Sequence, residues 1–197
     1  MVMRAALGCK LHTGWAMVVA LTGQPGEIQV LFRGRIELLP LDESVPRFVY
    51  HEAAELPLPR ATALVNLARE ASQTTAGNAI QEVLRELDSR GVKTAACGVL
   101  CSSTTVPDDL SRILSSHPMI HAAEGALFQR AIVSACKSCG LAVTAVRERE
   151  VWLLAATAWG LREPSLRKEL DTLRKSVGPP WSADHKTAAA IALLALK

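Results

Sequence analysis

In the first 39 residues of the chain, the pattern of apolar and polar positions predicts strands. Apolar runs at 4–9 and 15–21, and the alternation of apolar and polar residues within 27–39, predict three strands. The turns between them are short, which favours an antiparallel meander. Two later apolar runs, 92–101 and 141–146, predict a fourth and a fifth strand. The run 92–101 is apolar enough for a strand that is buried on both faces of the sheet.

A helical period occupies most of the remaining chain. Leu64, Leu67, Ala68 and Ala71 recur at spacings of three and four within 61–90, where Gly77 either divides the segment into two helices or is tolerated within one. Further helices are predicted at 121–139, 148–159, 163–175 and 182–196. The connection 40–59 contains four prolines and, at 48–57, either a short helix or a structured loop.

This order of elements is β-β-β-α-β-α-β-α. Three meandering strands followed by alternating helices and strands predict an α/β fold, with a mixed five-stranded sheet and helices on both faces. The length of 197 residues and the 49% hydrophobic content are those of a folded globule, and we expect a single domain over 1–197.

Charge and hydropathy exclude few functions. The formal net charge of +3 is too small to imply nucleic-acid binding by itself. No apolar run reaches the roughly 18 residues of a membrane span, so we expect no membrane association. Five cysteines, three of them inside apolar runs, indicate a reduced, cytoplasmic protein.

The spacing Cys136-Lys-Ser-Cys139 invites a metal or redox interpretation. A zinc ribbon needs a second pair of cysteines, and the sequence has none. A redox pair needs its thiolate at a helix N-terminus, whereas this pair lies at the C-terminal end of the predicted helix 121–139. An incidental pair is the simpler interpretation, and a redox role stays open.

Two segments carry a resemblance to a known family. LGCKLHTGWAMVVAL at 7–21 resembles the first hairpin of bacterial Holliday-junction resolvases of the ribonuclease H-like superfamily, and ADHKTAAAIALLAL at 183–196 resembles their last helix. The runs His-Thr-Gly-Trp, His-Ala-Ala-Glu-Gly and Gly-Pro-Pro-Trp are also similar to those of a group of bacterial proteins. The resemblance implies the ribonuclease H-like fold, with nucleic acid as a partner.

The same resemblance implies a divalent metal site from which this sequence departs. In the resolvases, acids at the end of the first strand, at the end of the fourth strand and on the last helix bind two metals that activate water. Here Lys10 stands at the first position and Cys101-Ser102 at the second, and Asp184 alone matches. A divalent metal stays a candidate cofactor, but the departures predict a divergent or inactive nuclease, since Mg²⁺ requires oxygen ligands.

The ribonuclease H-like topology would bring several polar residues to one edge of the sheet. We expect His12, His121, Glu124 and Asp184 as catalytic candidates for acid–base chemistry or transition-metal binding. The candidate substrate-binding residues are Lys10, Thr13, His51, Trp181 and Lys186. Glu55 lies in the same connection as His51.

Each of these residues also has a purely structural interpretation. His12 and Thr13 suit turn hydrogen bonds, and His121 with Glu124, three residues apart on a helix, suit a surface pair. His51 suits packing beneath the connection, and Trp181 suits a hydrophobic staple for the last helix.

Three functions therefore stay open at the level of sequence. The first is a ribonuclease H-like protein that binds nucleic acid. The second is a structural or regulatory protein whose Ala-Leu-rich last helix contacts a protein partner or a second copy. The third is an enzyme of unknown reaction with a His/Glu/Asp site at the sheet edge.

Overall fold

The computed structural model of the chain describes residues 3–102 and 104–197. Within them, five strands form one sheet: β1 (Met3–His12), β2 (Trp15–Thr22), β3 (Gln29–Glu37), β4 (Val92–Cys101) and β5 (Ala142–Arg147). The strand order is β3-β2-β1-β4-β5. β1 and β2, and β2 and β3, are antiparallel, whereas β4 is parallel to β1 and β5 to β4. The predicted mixed sheet with an initial meander is confirmed.

Helices cover both faces of this sheet, as predicted. They are α1 (Val49–Ala54), α2 (Leu58–Ser89), α3 (Leu110–Leu114), α4 (His117–Ser138), α5 (Val151–Ala158), α6 (Glu163–Thr172), α7 (Arg174–Val177) and α8 (Ala183–Leu196). Buried residues of α1 to α4 join one hydrophobic core with Leu7, Cys9 and Val18. Buried residues of α5, α6 and α8 join a second core on the opposite face.

The structure shifts some of the predicted helix boundaries and selects between the alternatives at Gly77 and at 48–57. α2 runs without a break through Gly77, at which an added Cβ would meet no atom within 4 Å. α4 begins at His117, one turn before the predicted start at His121, because a proline is tolerated in the first turn, where no N–H is needed. The segment 48–57 contains the short helix α1, and the predicted helix 163–175 is divided into α6 and α7.

Helix α8 packs unusually close to the sheet. A Cβ added at Gly8 would lie 2.0 Å from the carbonyl oxygen of Ala188, and one added at Gly98 would lie 2.6 Å from that of Ile191. The small side chains on both elements allow this approach, and residues 188–193 are buried against β1, β2, β4 and α5. The Ala-rich surface expected to serve a partner is therefore covered within the chain itself. The packing also places the first turn of α8 over the end of β1.

Across 3–102 and 104–197, none of the helices combines the length and the apolar character that crossing a membrane requires.

Candidate functional site

The end of β1 meets the first turn of α8 through a histidine–aspartate pair. His12 Nε2 lies 3.0 Å from Asp184 Oδ2, and each side chain is 32% exposed. The His12 ring stacks on Trp15, with centroids 4.0 Å apart and planes 8° from parallel. His12 and Trp15 are cross-strand partners that flank the tight Thr13-Gly14 turn, in which Gly14 has a φ of +81°. The His-Thr-Gly-Trp run thus holds an imidazole against a carboxylate.

Lys10 lies two residues before His12 and therefore on the same face of β1. Its ammonium group is bonded to the carboxylate of Glu148, in the short 3-10 turn Glu148–Glu150 that follows β5. The Lys10 side chain is mostly buried, whereas that of Glu148 is mostly exposed. A cation and its counter-ion thus occupy the position at which the resemblance expects a metal-binding acid.

Glu124 is a buried carboxylate that ties α4 to α1. Its Oε1 accepts hydrogen bonds from the backbone N–H groups of Tyr50 at 2.7 Å and His51 at 3.4 Å, and lies 3.3 Å from His51 Nδ1. Its Oε2 is buried and has no hydrogen-bond partner among the described residues. Burial raises the pKa of Glu124, and the hydrogen bonds from Tyr50 and His51 oppose that rise. Glu124 is therefore not the surface partner of His121 that the spacing permits.

Three histidine rings meet beside Glu124. His117 and His121 are one turn apart on α4, with their Nε2 atoms separated by 3.0 Å. His51 on α1 completes the group, its ring centroid 4.7 Å from that of His121 and 5.6 Å from that of His117. Sequence reasoning missed His117 because it began the helix at His121. The signal was present as His-Pro-Met-Ile-His, an i,i+4 histidine pair.

A cavity of about 220 Å³ connects these two groups of side chains. On one side its wall is formed by His12 and Thr13, and on the other by His51, His121 and Glu124. Asp184 reaches it through His12. The four catalytic candidates named from the sequence thus lie around one cavity, but not as one cluster. His12 pairs with Asp184, whereas Glu124 pairs with His51 and His121 with His117.

A second cavity, of about 440 Å³, shares Thr13 with the first, and its charged wall residues are Arg35, Arg47, Glu37 and Glu43. The Arg35 guanidinium lies 4.6 Å from the Trp15 ring centroid and makes two hydrogen bonds to Glu37, which raise the pKa of Arg35. Arg47 is exposed, and its Nε donates to the Thr13 carbonyl oxygen at 3.0 Å. Aromatic and guanidinium groups therefore extend the edge beyond His12.

Two of the expected substrate-binding residues are directed elsewhere. Trp181 is only 7% exposed, and its indole N–H donates to the Leu170 carbonyl oxygen at 2.7 Å. It packs against α6 and the first turn of α8 in the second core. Lys186 Nζ lies 2.7 Å from Asp171 Oδ1 on α6. We leave both residues out of the site that we propose.

The cysteines do not join the site either. Cys136 is buried and Cys139 half-buried, and both are free thiols. Burial raises the pKa of the Cys139 thiol, which disfavours the reactive thiolate.

Comparison with known proteins identifies the architecture through structure alone. No protein-family model and no curated protein sequence matches the chain. The structure of T. thermophilus RuvC in complex with Holliday junction substrate matches 97% of this chain and 91% of that one, with a TM-score of 0.53 and 13% identity. A second Thermus thermophilus RuvC structure matches 96% and 92%, again with a TM-score of 0.53 and 13% identity. The chain has the ribonuclease H-like fold of these RuvC structures.

Proposed function

We propose that the protein binds nucleic acid along the sheet edge formed by Lys10, His12, Trp15, Arg35 and Arg47, and that it does not cleave phosphodiesters by the two-metal route of the resolvases. The observation that carries the proposal is the match over nearly the whole chain to a resolvase structure containing Holliday junction substrate. The structural match supports the first half, and the donor set at the end of β1 supports the second.

The donor set does not suit a pair of Mg²⁺ ions. Lys10 replaces the expected acid, and its ammonium would repel a divalent cation, which needs several oxygen ligands. Two carboxylates at this edge, Asp184 and Glu148, are each bonded to a side chain of β1. We therefore derive no metal-dependent step at this position.

The guanidinium and aromatic groups of this edge suit the recognition of a phosphate backbone and of unstacked bases. One guanidinium group can donate two parallel hydrogen bonds to a phosphate. Bases can stack on aromatic rings and on guanidinium planes. Arg47 is exposed, whereas Arg35 is partly neutralised by Glu37. Arg47 is therefore the residue whose replacement should affect binding most directly.

Binding is tested by fluorescence anisotropy with labelled four-way junction, duplex and single-stranded DNA and RNA between 50 and 200 mM salt. Phosphate contacts predict that log K falls linearly with log salt, and Arg47→Ala should reduce the slope for duplex by about 1. Lys93→Ala is the matched control, because Lys93 is exposed at the opposite end of the sheet, near the start of β4. Absence of binding to every probe at 50 mM salt would overturn the proposal.

Cleavage is tested on the same probes with Mg²⁺ or Mn²⁺, beside an Asp184→Ala variant. We expect no cleavage by either protein. Cleavage by the wild type that disappears in Asp184→Ala would show an altered but working metal site and would contradict the second half of the proposal.

A second candidate function is hydrolysis with His12 as general base. It is favoured by the His12–Asp184 hydrogen bond beside the 220 Å³ cavity, because a carboxylate that orients an imidazole is the usual arrangement of a catalytic base. Wild type and His12→Gln would be compared on chromogenic phosphodiester and carboxylic-ester substrates. Equal rates for the two proteins would reject this candidate.

A further inference from the structure

We propose that His51, His117 and His121 form a binding site for a transition metal of the Zn²⁺ class, and that Glu124 positions His51 within it. This site is separate from the carboxylate metal site that the resemblance implies. It lies on the α1–α4 side of the sheet and uses nitrogen ligands. It does not depend on the proposed nucleic-acid binding.

The distances between the ring nitrogens of the three histidines suit a single metal ion. One nitrogen from each of the three histidines lies within 4.8 Å of the other two. Tetrahedral zinc holds nitrogens about 2.0 Å away, which separates them from one another by about 3.3 Å. The observed 3.0 Å between the Nε2 atoms of His117 and His121 is close to that separation. Small rotations of the exposed rings would bring the three nitrogens around one ion.

The local structure explains why the rings converge. His117 and His121 are four residues apart on α4, so they project from the same face of the helix. The ring pairs are edge-to-face rather than stacked, with planes 68° to 84° apart. Within this arrangement one nitrogen atom of each ring lies within 4.8 Å of the other two, near one point beside α4. His51 reaches the point from α1, which packs against α4.

Glu124 supplies a second and independent observation. Its Oε1 lies 3.3 Å from His51 Nδ1, which selects the tautomer that leaves Nε2 free to bind a metal. A histidine that binds metal commonly donates its other N–H to a carboxylate in this way. Glu124 is 4% exposed, and its Oε2 has no hydrogen-bond partner in 3–102 or 104–197. A nearby dication would compensate the charge of a buried carboxylate that is only half satisfied by hydrogen bonds.

The ligand chemistry selects the class of metal. Imidazole nitrogens suit Zn²⁺, Cu²⁺, Ni²⁺ and Fe²⁺, whereas Mg²⁺ and Ca²⁺ require oxygen ligands. Three protein ligands leave a fourth position for water or a ligand, as in zinc sites that bind substrates. His51 and His121 also border the 220 Å³ cavity, which gives that position a route to the His12 edge.

The test is direct measurement of metal binding by the full chain. The protein is stripped with a chelator and titrated with Zn²⁺ by calorimetry, and with Co²⁺ by visible absorption, which reports four-coordinate nitrogen ligation. We expect one ion per chain and a tetrahedral Co²⁺ spectrum. His117→Ala and His121→Ala should each weaken Zn²⁺ binding by more than about tenfold, and Glu124→Gln by about 10-fold.

Control variants keep the result interpretable. His117 and His121 are exposed, so their replacement should leave the far-ultraviolet circular dichroism spectrum unchanged. His185→Gln removes a histidine outside the group, and Cys101→Ser with Cys139→Ser removes the half-buried thiols. These controls should bind Zn²⁺ as the wild type does. Absence of stoichiometric binding, binding that survives His121→Ala, or binding lost with the thiols would each overturn the proposal.

Discussion

His12 and Asp184, 172 residues apart in the chain, join the first strand to the last helix through a contact of 3.0 Å. Because both side chains are one-third exposed, solvent screens the pair, and we expect a coupling energy of only about 0.5–1 kcal/mol. A double-mutant cycle with His12→Ala and Asp184→Ala, followed by urea unfolding at pH 6, measures it. A coupling energy of zero would show that the contact contributes nothing to the free energy of unfolding.

The space around each glycine predicts opposite effects for two glycine-to-alanine substitutions, one beneath α8 and one in α2. Gly8→Ala would place a Cβ 2.0 Å from the Ala188 backbone oxygen, so helix or strand must move, and we expect a loss of about 1–3 kcal/mol in the free energy of unfolding. Gly77→Ala, in the middle of α2 with no atom near the added Cβ, should gain about 0.5–1 kcal/mol. Urea unfolding of both variants is the measurement. Equal stability of Gly8→Ala and the wild type would contradict the close packing.

Local periodicity predicted the fold well because its strands and helices have strong patterns of their own. The meander and the long helices needed no knowledge of distant contacts. Even Gly77, a candidate break, lies within a helix whose buried residues recur on both sides of it. The helical period outweighs the small local cost of one glycine.

The site was less predictable, because its contacts join residues far apart in sequence. Lys10 and Glu148 are separated by 138 positions, and no local pattern pairs them. His51 is held beside α4 by the packing of α1 and by the hydrogen bonds that Glu124 accepts from the start of α1. His12 and Asp184 could be expected at one edge from the topology that the resemblance implies. The sequence alone could not decide the role of Trp181, since a tryptophan suits both stacking on a base and packing in a core.

His185 predicts a dependence of stability on pH. Its Nδ1 lies 3.2 Å from the Ser182 N–H and 2.7 Å from Ser182 Oγ, and protonation would remove this acceptor. Burial, followed by the positive charge of Arg33, lowers the pKa of His185 below its usual 6.5, while Asp184 opposes the shift. A lowered pKa in the folded state means that the stabilisation is complete above about pH 6.5 and is lost as pH falls through the folded value.

We therefore expect the free energy of unfolding to decrease between pH 7.5 and pH 5.5, and His185→Gln to reduce that decrease. Glutamine keeps a side-chain acceptor at this third helical position but does not titrate in this range. Urea unfolding of both proteins at a series of pH values gives the comparison. Parallel curves would show that other groups cause the dependence.

The proposed histidine site predicts that zinc stabilises the folded chain. A ligand that binds only the folded state at a hundredfold its Kd adds about 2.7 kcal/mol, which for a chain of this size corresponds to a Tm increase of roughly 5–10 °C. Differential scanning fluorimetry with Zn²⁺ and with chelator measures the shift. His121→Ala should abolish it, while His185→Gln should retain it, because only the first removes a proposed ligand. A shift of equal size in both variants would place the zinc elsewhere on the protein, and a decrease in Tm would indicate that the unfolded chain binds zinc more strongly.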